Sequence, residues 1–112
     1  MTDKTEKKTS RSIPHDTAML ESLRRDPAFA ASYLELTMRE GSQEEFLIAL
    51  RRVTKAFGGI AKLAKKTGLN EPTLHRTLSA GGNPRLDTFV KICDAIGMQI
   101  HITPIDEQSA AH

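Results

Sequence analysis

The stretch AKLAKKTGLNEPTLHRTL, residues 61–78, predicts two short helices joined by a turn of about three residues. A small residue, Ala64, permits the two helices to cross closely, and a glycine four positions later suits a turn that needs positive φ. The predicted core of the motif is Ala64, Gly68, Leu69, Leu74 and Leu78. This spacing is typical of a helix-turn-helix, which we place at about residues 60–80. A plain helical hairpin would show the same pattern by chance, so the spacing alone does not exclude one.

In a helix-turn-helix, the second helix lies in the major groove and its outward side chains meet base edges. The candidates for base contact are Asn70, Glu71, Thr73, His75 and Arg76. Arg76 is the first choice, for bidentate contact with guanine or for a phosphate. Two roles stay open from the sequence. Asn70 either caps the helix or reads a base, and Glu71 either accepts from a cytosine amino group or complements the positive helix N-terminus.

Positive charge is concentrated around this stretch. Residues 57–91 carry six basic and two acidic side chains, a local net charge of +4 in a chain whose total is +2. A local excess of this kind suits a surface that faces phosphates, although an ordinary solvated surface can carry the same charge. The predicted contacts to the DNA backbone are Lys62, Lys65, Lys66, Ser79, Asn83 and Arg85. Such contacts position a protein on DNA without specifying a sequence.

Length and composition predict one helical domain. The chain has 112 residues, of which 38% are hydrophobic and only 4% aromatic, so its core must be aliphatic, which suits packed helices. We predict an all-α domain of five to six helices over residues 13–104, with a disordered arm at 1–12 and a tail at 105–112. Helix starts are indicated by Asp26-Pro27 and by Ser42 with Glu45 three residues later, a capping-box pattern.

The last predicted helix follows Asn83-Pro84, a cap followed by a proline. Helical spacing predicts that its apolar face packs on the other helices. The residues of this predicted inner face are Leu86, Phe89, Val90, Cys93 and Ile96. Cys93 is most simply a small core residue, and a lone cysteine offers no disulfide framework.

The segment MQIHITPI, residues 98–105, alternates apolar and polar side chains with the period of a half-buried strand. We predict a short C-terminal β-strand there. Because a single strand cannot satisfy its own backbone groups, it needs a partner: a second copy of the chain, a different protein, or the segment near Ser12-Ile13. An intermolecular partner is preferred. The candidate dimer strand comprises Gln99, Ile100, His101, Ile102 and Thr103.

Several classes of function are not indicated. The four histidines have no metal-ligand spacing with each other or with Cys93, so no metal is expected. No nucleophile and base are arranged for catalysis and no glycine loop for phosphate, so we expect neither an enzyme nor a cofactor. No apolar run is long enough to span a membrane, and the lone cysteine favours a reducing, cytoplasmic setting.

Three segments carry a resemblance to a known family: AASYLEL (30–36), IALRRVTKAFGGIAKLAKKTGL (48–69) and above all LHRTLSAGGNPRLDTFVKICDAIGMQI (74–100). From about Ile13 to Pro104 the chain resembles the addiction-module antidotes, relatives of HigA-like antitoxins with a phage Cro/repressor-type, lambda-repressor-like helix-turn-helix. The resemblance implies a type II antitoxin. Such a protein would neutralise a small RelE-like toxin encoded beside it, and would repress their shared operon as a homodimer on a palindromic operator.

Two other functions remain compatible with the sequence. The first is a stand-alone transcriptional regulator, phage-derived or not, with the same DNA chemistry and no toxin. The second belongs to a different class: a protein-interaction module whose helical hairpin never meets DNA. Binding to operator DNA separates the second alternative from the rest, and a bound toxin separates an antitoxin from a stand-alone regulator.

Overall fold

A computed structural model describes residues 17–106, and this part of the chain contains six helices and no strand. Helix α1 covers residues 17–25. It is followed by α2 (Pro27–Glu40), α3 (Gln43–Ala56), α4 (Gly59–Thr67), α5 (Glu71–Thr77) and α6 (Leu86–Ala95). The all-helical prediction is confirmed for these residues. The predicted arm at 1–12 and most of the predicted tail lie outside the described range.

The helix starts that the sequence predicts in the first half of the chain are confirmed. Asp26 caps α2 by accepting a hydrogen bond from the backbone N–H of Phe29 at 3.1 Å, and Pro27 occupies the first turn. At α3 the Ser42 hydroxyl accepts from the N–H of Glu45 at 3.1 Å, and the Glu45 carboxylate accepts from the N–H of Ser42 at 2.8 Å. Each cap satisfies backbone donors that the first turn leaves free.

The core is aliphatic and lies around α3. Helix α2 packs on α3, α3 packs on α4, and α4 packs on both α5 and α6. Fully buried side chains come from five of the helices; they include Leu23, Leu47, Leu50, Val53, Leu74 and Ile92. Each buried side chain of this size stabilises the fold by about 1.5–3 kcal/mol relative to exposure. The rings of Phe46 and Phe89 meet edge to face at 5.7 Å, which adds a contact between α3 and α6.

Helix α6 differs from its prediction at both its start and its buried face. It begins at Leu86 with Arg85 as N-cap, two residues after the predicted Asn83-Pro84 start. Leu86 and Val90, which were expected to face inward, are 76% and 41% exposed, whereas Ile92 is fully buried. A stripe through Phe89, Ile92, Cys93 and Ile96 has the same helical period, and packing against α4 selects it.

The predicted C-terminal strand is wrong for the described chain. Residues 98–106 have no regular secondary structure, and this holds for all of Gln99, Ile100, His101, Ile102 and Thr103. The physical reason is that a strand needs a second strand for its backbone hydrogen bonds, and residues 17–106 contain none. The isoleucines of the segment are consequently exposed, Ile102 by 95%.

Candidate functional site

The turn between α4 and α5 consists of the three residues 68–70. Gly68 has a left-handed conformation with φ 78°, and its N–H donates to the Ala64 carbonyl at 2.9 Å, which ends α4. The Thr67 hydroxyl accepts from the N–H of Leu69 at 3.2 Å and donates to the Leu63 carbonyl at 2.8 Å. The predicted pair of short helices with a glycine at the turn is therefore present, because a left-handed residue lets the chain reverse within three positions.

Helix α5 is anchored by leucines that lie four residues apart. Leu74 and Leu78 are both fully buried, and Leu63 of α4 is 3% exposed beneath them. Ala64 and Leu69 pack against the same core and are partly buried. Buried leucines from both helices thus hold α5 against α4. Truncating a leucine buried in this way to alanine costs about 2–5 kcal/mol.

The opposite side of α5 is open to solvent. Glu71, His75 and Arg76 are exposed, whereas Thr73 is half-buried. The Arg76 guanidinium donates to the Thr73 hydroxyl across 3.4 Å, a long hydrogen bond that orients the arginine along the helix. Within the described residues, the side chains of Glu71 and His75 make no hydrogen bond or ion pair. These three exposed side chains are therefore available for an external ligand.

Asn70 has a role that the sequence left open. Its side-chain oxygen accepts a hydrogen bond from the backbone N–H of Thr73 at 2.8 Å, so Asn70 is the N-cap of α5. Reading adenine through two hydrogen bonds would require both the oxygen and the amide group of the side chain. The bond to Thr73 holds the Asn70 side chain against the start of α5, in the capping orientation. The geometry favours the cap over the base reader.

The six residues predicted to contact the DNA backbone differ in how free they are. Lys62 and Lys65 on α4 are exposed and, within residues 17–106, have no hydrogen-bond or ion-pair partner. Lys66 donates to the Ala95 carbonyl at the end of α6 across 3.4 Å, a bond that also complements the negative end of that helix. Lys62 and Lys65 are thus the two lysines of α4 with unoccupied ammonium groups.

Beyond α5, the remaining three predicted contacts are already engaged inside the protein. The Ser79 hydroxyl donates to the Arg76 carbonyl at 2.7 Å, which uses its single donor. The Asn83 side-chain oxygen accepts from Gln43 at 3.5 Å. Arg85 lies 3.4 Å from the Asp87 carboxylate in an exposed ion pair. An arriving phosphate would have to displace Ser79 from Arg76, but could add to Arg85 through its other donors.

Asp87 lowers the positive charge at this edge of the site. The backbone N–H of Thr88 donates to its carboxylate and holds the pKa below its usual value, and the charge of Arg85 acts in the same direction. Asp87 is therefore ionised at neutral pH and faces Arg85.

Two residues that the sequence did not single out, one on α3 and one in the loop after α5, contact each other. Gln43, the first residue of α3, donates to the Gly82 carbonyl at 3.2 Å. Gly82 in turn lies against the last turn of α5. Gln43 and Gly82 are 39 positions apart in the chain, so no local pattern reveals their contact. The only signal was the Gly81-Gly82 pair itself, which indicates a tight loop.

Other candidate chemistry is sparse in the described part of the chain. Cys93 is buried, and desolvation raises the pKa of its thiol to about 11, with the charge of Asp94 adding to the shift. Such a thiol is a poor nucleophile and metal ligand. Residues 17–106 hold no group of three acidic, histidine or cysteine side chains placed to bind a metal ion. No helix among them is long and apolar enough to cross a membrane.

Comparison with known proteins identifies the family. Residues 15–104 match the family described as "probable addiction module antidote protein". An uncharacterized protein of Haemophilus influenzae is 29% identical over 70 residues, which cover 62% of this chain and 71% of the relative. No solved structure matches the chain significantly. Because the family match extends over most of the chain and includes all six helices, this protein belongs to the addiction module antidote family.

Proposed function

We propose that this protein is the DNA-binding antitoxin of a type II toxin-antitoxin module, and that it represses its own operon through a helix-turn-helix formed by α4 and α5. The observation that carries the proposal is the construction of α5: its inner side is locked by Leu74 and Leu78, and its outer side presents Arg76 and His75. A short helix held in this way can enter the major groove, and exposed Lys62 and Lys65 on α4 can hold the flanking phosphates.

Membership in the antidote family supports a toxin partner. The resemblance to HigA-like antitoxins further suggests a RelE-like toxin encoded next to this chain, and a phage Cro-type relationship for the DNA-binding helices. In this proposal the antitoxin acts by binding, both to the toxin and to the operator. The groups that carry it are exposed side chains on helices, not reactive groups in a cleft.

A homodimer is part of the proposal, because one short helix reads only a half-site and two-fold proteins match palindromic operators. We propose that residues 98–104 of two copies meet at the dimer interface. The exposure of Ile100 and Ile102 in the single chain supports this.

DNA binding is tested by fluorescence anisotropy with DNA from upstream of the protein's own operon, using a scrambled duplex of the same length as control. We expect salt-sensitive binding that favours the operator sequence. Binding to neither duplex would contradict the proposal and favour a protein-interaction module.

The toxin partner is tested by co-expression with the adjacent small reading frame. We expect the second product to co-purify with this chain, and to arrest growth when it is expressed alone. A neighbour that is neither toxic nor bound would contradict the antitoxin role, and operator binding without it would leave a stand-alone regulator.

The dimer is tested by Ile102→Asp, with Gln99→Asp as the matched control that places the same charge on the polar side of the segment. Light scattering should show a dimer for the wild type and the control. It should show a monomer for Ile102→Asp, because a carboxylate buried without a partner in the interface opposes association. A dimer that survives Ile102→Asp would place the interface elsewhere, with the helices before residue 57 as the next candidate.

A further inference from the structure

The loop between α5 and α6 folds back tightly under the C-terminal end of α5. The N–H of Gly82 donates to the Ser79 carbonyl at 2.9 Å, and Ser79 donates to the Arg76 carbonyl through both its N–H and its hydroxyl, at 3.2 and 2.7 Å. The last turn of α5, including the backbone of Arg76, therefore rests on this loop.

Gly82 makes this close approach possible. A Cβ on Gly82 would overlap the Thr77 carbonyl oxygen and would lie 2.8 Å from the Arg76 carbonyl oxygen. Both are backbone atoms of the α5 end, so neither can rotate away. The φ of Gly82 is not in the left-handed region, so what this position requires is space and not an unusual conformation. The neighbouring Gly81 differs: a Cβ there would meet no atom within 4 Å.

An exposed side chain at the start of α3 holds the loop in place. The Gln43 amide donates to the Gly82 carbonyl at 3.2 Å and to the Asn83 side-chain oxygen at 3.5 Å. Gln43 is the first residue of α3, and the reciprocal hydrogen bonds of Ser42 and Glu45 fix the start of that helix. The hydrogen bonds of Gln43 thus fix the C-terminal end of α5 relative to α3, the helix around which the core is built.

We propose that Gly82 and Gln43 determine the DNA sequence specificity of this protein as positioning residues: they set the position of α5, and with it the reach of Arg76 to base edges. The inference rests on the proposed function, since it assumes that α5 reads DNA. Helix α5 has only seven residues, so a displacement of its last turn moves Arg76 directly. Hydrogen bonds to bases tolerate little displacement, because they weaken beyond about 3.2 Å and away from linearity. Phosphate contacts by long lysine side chains tolerate more.

The test compares Gly82→Ala with Gly81→Ala, two adjacent substitutions of the same kind. The readout is the ratio of the affinity for operator DNA to the affinity for a scrambled duplex, measured at one salt concentration. We expect Gly81→Ala to keep the wild-type ratio. We expect Gly82→Ala to lower the ratio about tenfold, the size of one lost bidentate base contact, while its affinity for the scrambled duplex changes less than about twofold.

The ratio separates positioning from a general loss of stability. Partial unfolding removes active protein and lowers both affinities by the same factor, so it leaves the ratio unchanged. Circular dichroism and thermal unfolding accompany each variant. If Gly82→Ala does not fold, the ratio measured for Gln43→Ala tests the positioning role instead. The exposed Gln43 side chain contributes two hydrogen bonds to the loop and little to the core, so we expect its removal to leave the fold intact. Its matched control is Glu44→Ala, the next exposed residue of α3.

The outcomes distinguish this inference from the proposed function. If the wild type binds the operator selectively and both Gly82→Ala and Gln43→Ala keep its ratio, the positioning role is overturned while the DNA-binding function stands. If the wild type binds no DNA, the proposed function fails and the positioning role fails with it. A lowered ratio in Gly82→Ala or Gln43→Ala, with a wild-type ratio in the matched control, supports the inference.

Discussion

The side-chain oxygen of Asn70 accepts a hydrogen bond from the backbone N–H of Thr73 at 2.8 Å. This contact joins the turn to the proposed reading helix and satisfies one of the donors that the first turn of α5 leaves free. It also holds the Asn70 side chain in the capping orientation, directed at the backbone of α5. Asn70 therefore acts as the N-cap of α5.

Because Asn70 caps α5, we expect Asn70→Ala and Asn70→Ser to differ in their free energy of unfolding. Alanine should lower the free energy of unfolding by about 1 kcal/mol, whereas serine, which also caps helices, should retain most of it. Since the Asn70 side chain is held as the cap, Asn70→Ser should keep the preference for operator over scrambled DNA. Urea unfolding and anisotropy measure the two effects. A stable Asn70→Ser variant without operator preference would show that Asn70 reads a base after all.

Arg76 should carry the largest single contribution to specificity. Arg76→Ala should weaken operator binding by about 1–3 kcal/mol with little change in binding to scrambled DNA. Arg76→Lys should not restore the preference, because an ammonium cannot make the paired hydrogen bonds of a guanidinium. Arg25→Ala is the control, since Arg25 lies on α1 in an exposed ion pair with Glu21. An Arg76→Ala variant with full affinity and full preference would refute the assignment.

Lys62 and Lys65 should contribute affinity without sequence preference. Replacing either by alanine should weaken binding to operator and scrambled DNA by similar factors, and should reduce the slope of log affinity against log salt by about 1. Lys55→Ala is the control, because Lys55 is an exposed lysine on α3 and not on α4. A salt titration measures the slopes. An unchanged slope in both α4 variants would place the phosphate contacts elsewhere.

The buried Cys93 predicts a pH dependence of stability. Its thiol has a folded-state pKa of about 11 against an ordinary value of 9.0. Above pH 9 the unfolded chain loses the proton first, so it binds fewer protons than the folded chain, and the free energy of unfolding should fall between pH 9 and 11. Cys93→Ala should show a shallower fall over the same range in urea unfolding. If the free energy of unfolding falls equally steeply with pH in the wild type and in Cys93→Ala, the buried thiol is not the cause of the fall.

Local sequence patterns were sufficient for the motif that carries the proposed function. Gly68 at the turn, and Leu74 and Leu78 on one side of α5, act over four residues or fewer, so their roles follow from backbone sterics and helical period. The same is true of the capping box of Ser42 and Glu45. Such interactions need no knowledge of distant segments.

The face that α6 buries was less predictable. Its apolar residues form two overlapping stripes with the same period, one through Leu86 and Val90 and one through Ile92. Periodicity cannot choose between them. Packing against α4 made the choice, burying Ile92 and leaving Leu86 exposed.

By itself the sequence determined the caps of α2 and α3, the glycine turn and the leucine anchors of α5, because each depends on neighbours within about one helical turn. Only the tertiary structure decided three other features. It joined Gln43 to Gly82 across 39 positions, it selected the buried face of α6, and it left residues 98–106 without a strand. These features depend on which surfaces and backbone groups meet in three dimensions, and a one-dimensional pattern does not contain that information.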